Sequence, residues 1–153
     1  MSDGKDIDFD EEILRPVLES GVSLCQLVSH EWERVDGALI TAALRMNRDL
    51  YKWSGALRLQ RWNNITSQFD VVDEMMPVEL MEWFRNLEQS SLLLMEDGHL
   101  LLDQNNAERA FIVWWLREMA RMPKHQQKCL VFGSVHPTVP VELDKEMPLL
   151  HLS

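Results

Sequence analysis

Ser91-Leu92-Leu93-Leu94-Met95-Glu96-Asp97 runs apolar without a break and then turns acidic. A strand with one wet face alternates apolar and polar side chains, so an unbroken apolar run marks a strand covered on both faces, as in the middle of a parallel sheet. Cys129-Leu130-Val131-Phe132, closed by Gly133-Ser134, has the same character. Val22 to Val28 is a third short, largely apolar run, bounded upstream by the turn residues Ser20-Gly21.

Helical patterns separate these runs. Trp32, Val35, Leu39, Ala42, Ala43 and Met46 recur at helical spacing behind Ser29, a plausible cap, and the acids Glu31 and Glu33. That helix ends near Asn47, and residues 50–54 read as a strand. Pro77 opens a helix to about Glu88 with Leu80, Met81, Phe84 and Leu87 inward. Ala107 to Met122 forms the strongest helix, with Phe111, Trp114, Trp115, Leu116 and Met119 as its apolar stripe and Pro123 as its stop. Ile13 to Leu18 suits a short helix, and Leu149 to Leu152 a last strand. Residues 55–67 predict a loop or irregular hairpin, 70–76 a short helical turn, 98–106 a loop and 141–146 one helical turn. Strands alternating with helices imply right-handed crossovers, and hence a three-layer α/β sandwich around a mostly parallel five-stranded sheet.

The 153 residues suit one domain, expected over 13–153, behind a flexible acidic tail over 1–12. An apolar fraction of 46% provides for a real core. The net charge of −10 repels phosphate backbones, which argues against nucleic-acid binding. Cys25 and Cys129 lie in apolar runs without CxxC spacing and read as buried reduced thiols. The N-terminus lacks the basic-then-apolar form of a signal peptide, and no apolar run reaches membrane-spanning length, so a cytoplasmic location is expected.

The junction after the first strand, Val28-Ser29-His30-Glu31-Trp32-Glu33-Arg34, has no glycine and no lysine, and its glutamates oppose a phosphate. His30-Glu31 begins like the zinc motif H-E-x-x-H, but Arg34 stands where the second histidine belongs. Glu96 and Asp97 fall at the carboxyl end of a strand, where ligands of open α/β sheets bind. Without a phosphate loop they read as structural or vestigial, and His99 as a loop histidine. Gly133-Ser134-Val135 lacks the elbow pattern of a serine nucleophile, so Ser134 reads as a strand-end cap. The adjacent Trp114 and Trp115 cannot both point at one core, and one of them is a candidate partner contact.

Taken in order, Leu18-Glu19-Ser20-Gly21-Val22, His30 to Val35, Leu50 to Ser54, Leu92 to Leu101, Trp115-Leu116-Arg117, Leu130 to Val135 and Val139 to Glu146 resemble the N-terminal region of a bacterial and plastid type of AAA+ ATPase. The family meant is the one with members first seen as conserved reading frames in algal chloroplast genomes. The resemblance implies a degenerate P-loop NTPase-like domain preceding a true ATPase module. It places Glu96 and Asp97 at a vestigial Walker B position and Ser134 near a sensor position. No catalytic, cofactor-binding or metal residue is carried over; ATP and Mg²⁺ are expected in an ATPase module that follows a chain cut short at Ser153. The expected role is non-catalytic: recruiting or positioning a protein partner, or regulating an ATPase that forms a homo-oligomeric ring. The alternative is a small ligand-binding or hydrolytic domain built on the acids at the strand ends.

Overall fold

The computed structural model describes residues 9–138, 140, 143 and 145–152. Seven strands form one sheet: β1 (Leu24–Ser29), β2 (Asp49–Trp53), β3 (Arg58–Asn63), β4 (Gln68–Glu74), β5 (Ser91–Met95), β6 (Lys128–Ser134) and β7 (Leu149–Leu152), in the order β4-β3-β2-β5-β6-β1-β7. β2, β5, β6, β1 and β7 are parallel neighbours, while β3 and β4 extend the sheet as an antiparallel hairpin beyond β2. The helices are α1 (Arg15–Glu19), α2 (Trp32–Met46), α3 (Pro77–Asn86), α4 (Gly98–Leu101) and α5 (Arg109–Ala120).

Every residue of β1, β5 and β6 is buried, as their unbroken apolar runs require. Side chains alternate across the sheet and divide it between two cores. Leu93 and Met95 of β5 and Leu130 and Phe132 of β6 join Leu80, Met81 and Phe84 of α3 and Ile112, Leu116 and Met119 of α5. Leu92, Leu94, Cys129 and Val131 face the other way, against Val35, Leu39, Ala42 and Ala43 of α2 and Leu18 of α1.

The sheet therefore has seven strands where five are expected from sequence. The two extra strands come from the expected loop over 55–67 and the expected helical turn over 70–76. In β3 only Leu59 is buried, and β4 is exposed along nearly its whole length. Neither strand carries the two-residue alternation of a half-buried strand, because neither has a face sealed from water. The β3–β4 register also shifts between Leu59 and Gln60, which breaks the period further. Gly98–Leu101 is a helical turn rather than a loop. A π-helical turn over Phe9–Leu14 leads into α1, so the last residues of the stretch expected as a tail are helical; residues 1–8 lie outside those described. The turn expected over 141–146 lies partly outside them as well, although Leu143 is fully buried.

Polar pins hold the helices at the amino ends of the strands. Lys128, first residue of β6, donates to the carbonyls of Phe84, Arg85 and Leu87 at 2.9, 2.9 and 2.6 Å, satisfying the open end of α3. Burial, and then the Arg85 charge, lower its pKa. The Ser23 hydroxyl donates to Met119 O in α5 at 2.7 Å. Cys25 and Cys129 are free and buried; the hydrogen bond between the two thiols, together with burial, pushes Cys25 well above its ordinary pKa. Among the described residues no helix is long and apolar enough to cross a membrane.

Two outcomes follow. Lys128→Met strands three carbonyls at the end of α3 and lowers stability by about 2–4 kcal/mol, read from the urea midpoint. A thiol reagent leaves both cysteines unmodified in native buffer and labels both once urea unfolds the chain, because buried thiols are out of its reach.

Candidate functional site

In an open α/β sheet a ligand sits beyond the carboxyl ends of the strands, where neighbouring strands send their connections in opposite directions. Here that place lies between β1 and β6. The chain leaves β1 through α2 toward β2 on one side, and leaves β6 for β7 on the other.

Only His30 and Glu31 separate β1 from α2, too short a link to wrap a phosphate. Ser29 Oγ accepts from the Glu31 N–H at 2.9 Å and shapes the turn, while Glu31 forms an ion pair with Arg34. Ser29 thus stays within β1 instead of capping the helix directly. The first helical residue, Trp32, lays its indole against Gly133, the penultimate residue of β6. A Cβ at Gly133 would lie 2.9 Å from Trp32 Cη2 and 3.1 Å from Met95 O. An aromatic ring, itself only partly buried, therefore packs at the switch point. The sequence shows that glycine and lysine are missing there; it does not show that the tryptophan between the two glutamates closes the gap. The signal available was Gly133, a glycine inside a buried strand, which marks a close approach.

Glu96, Asp97 and Ser134 lie on the ends of adjacent strands, as the sequence places them, and no hydrogen bond joins them. Glu96 N–H donates to Trp53 O at 2.9 Å, extending the β2–β5 ladder by one bond. Burial raises the Glu96 pKa; Lys52 opposes the shift, and Asp36 and Asp97 add to it. Lys52 is already engaged by Asp36 of α2 at 3.0 Å. Asp97 takes a left-handed backbone (φ 58°), and at Gly98 a Cβ would overlap the Phe132 ring. These two residues turn the chain tightly over the core. Among the described residues Ser134 Oγ and His99 Nδ1 are buried without a hydrogen-bond partner, and the His99 and His136 rings pack 5.1 Å apart. Among the described residues no group of three or more His, Cys, Asp or Glu side chains is arranged to hold a metal ion.

A second candidate surface lies on α5. Its buried stripe is Ile112, Val113, Leu116 and Met119. Phe111 and Trp114, assigned to that stripe from sequence, face outward at 63% and 50% exposure, and Leu100 joins them at 60%. Trp115 is partly buried on the core and meets Trp114 edge-to-face, with ring centres 5.0 Å apart. The two tryptophans thus divide as their adjacency demands: Trp115 anchors and Trp114 presents. Phe111, one turn earlier on the same side, was not singled out from sequence as a contact residue.

A family model for the N-terminal domain of SpoVK-like AAA ATPases matches residues 9–152. No curated protein matches the chain.

The native state holds the Glu96 proton at higher pH than the unfolded chain does. Stability contributed by this group therefore falls as pH rises from the ordinary glutamate pKa of 4.5 through the raised one. Glu96→Gln raises the urea midpoint at neutral pH, and the gain disappears below about pH 4, where both side chains are neutral.

Proposed function

The chain belongs to the SpoVK-like AAA ATPase N-terminal domain family, and from that membership we propose that it is a non-catalytic module that recruits or positions a protein partner for the ATPase. The observation that carries this reading is Trp32 packed on Gly133. A ring in the switch-point crevice leaves no room for a phosphate, and the short glycine-free link before it offers no cradle of N–H groups. On this reading the domain is a degenerate P-loop-like fold of the bacterial and plastid type. Glu96, Asp97 and Ser134 are remnants of Walker B and sensor positions. ATP and Mg²⁺ are the business of the ATPase module, which assembles as a ring in the cytoplasm.

Recruitment then falls to a surface away from the strand ends. Phe111 and Trp114 form a ridge of apolar contact area on a rigid helix, with the partly buried Trp115 as its root. Large aromatic side chains dominate the energetics of protein contacts. Such a ridge suits an apolar groove on a protein partner.

Calorimetric titration of this chain with ATP and Mg²⁺ gives no heat at micromolar concentrations; micromolar affinity ends the reading. In the full-length ATPase, Phe111→Ser with Trp114→Ser abolishes stimulation by the protein substrate and leaves basal ATP hydrolysis within about twofold, since hot-spot aromatics act on binding alone.

A further inference from the structure

β4 ends the sheet. β3 pairs with one of its sides, and among the described residues no strand pairs with the other. Such an edge is a template for another chain, and proteins ordinarily block it with a short strand, proline, lysine or a covering element. β4 has seven residues, with neither proline nor lysine. Val71 and Val72 are 51% and 50% exposed.

The edge has a marked charge. Asp70, Asp73 and Glu74 lie along β4, and among the described residues no cation forms an ion pair with any of them. Their recorded partners are neutral: Asn63 Nδ2 donates to Asp70 at 3.0 Å, and the Glu74 N–H donates to Asp73 at 2.7 Å. The nearby Arg61 is taken by Asp49 at 3.1 Å. Beside Val72 and Asp73 the hairpin meets Tyr51 and Trp83, whose rings pack edge-to-face at 5.0 Å, and Arg61 already lies 5.9 Å from the Tyr51 ring centre.

We infer that β4 is a strand-addition site for an extended basic segment of a protein partner. Main-chain hydrogen bonds on either side of the register shift supply the pairing, and Asp70 and Asp73, which that shift sets on one face, select lysine or arginine at alternate positions. The same charges exclude a second copy of this chain. Antiparallel self-pairing centred between Val71 and Val72 sets Asp70 against Asp73, and like charges directly opposite are destabilising. This site is independent of the α5 ridge and survives or fails without it.

The test uses three nine-residue peptides and the isotopically labelled chain: alternating Lys and Val, alternating Glu and Val, and alternating Lys and Pro. The Lys–Val peptide binds at least about tenfold more tightly than the Glu–Val peptide, weakens with salt, and shifts the amide signals of residues 68–74. The Lys–Pro peptide has the same charge and cannot extend a ladder, so it does not bind. Asp70→Lys with Asp73→Lys, both on an exposed strand, reverses the preference. Equal binding of the Lys–Pro peptide overturns the proposal, because bulk charge then explains the attraction. Amide shifts confined to α5, or a dimer in sedimentation that dissociates in the double variant, overturn it as well.

Discussion

The whole molecule depends on β1, β5 and β6 being sealed on both faces. Backbone groups in these strands have no access to water, so each must be paired by a neighbouring strand, and a parallel ladder does this without a residue to spare. Two-sided burial also requires two helical layers. α2 with α1 covers one face and α3 with α5 the other, and the alternation of Leu92/Leu94 against Leu93/Met95 assigns side chains to each. The chemistry of the molecule is consequently confined to the rim: strand ends, helix backs and the outer hairpin.

At the rim, polar and aromatic contacts divide the labour. The amino ends of the strands are secured by hydrogen bonds from Lys128 and Ser23 to helix ends. The carboxyl ends, where a nucleotide-binding relative needs space, are packed instead with Trp32 on Gly133 and Phe132 under Gly98. Both glycines serve close approach. Among the exposed apolar side chains, Phe111 and Trp114 lie on α5 and Val71 and Val72 on β4.

What the sequence made legible was whatever water had to be kept from. The three buried strands could be read from runs of apolar residues, and α2, α3 and α5 from their helical spacing. The hairpin β3–β4 could not, because Arg58-Leu59-Gln60-Arg61-Trp62-Asn63 and Gln68 to Glu74 bury almost nothing, and pairing alone leaves no trace in residue type. The α5 stripe was placed too far round the helix for a related reason. Phe111 and Trp114 are as apolar as core residues, and hydropathy cannot tell a buried aromatic from a presented one. At the strand ends the missing phosphate cradle was visible as absent glycine and lysine, whereas the ring that fills its place required coordinates.

The pairing of β1 has a further bearing on how the domain comes into being. Its neighbours are β6 and β7, with Leu24 opposite Leu130 and Gln26 opposite Leu149, so β1 acquires its partners only after β2 to β5 and their helices have been made. Contacts this distant along the chain slow folding and prolong the exposure of apolar strands. Leu24 to Val28 therefore stay unpaired until β6 has been made, and the domain closes only when that late strand inserts between β5 and β1.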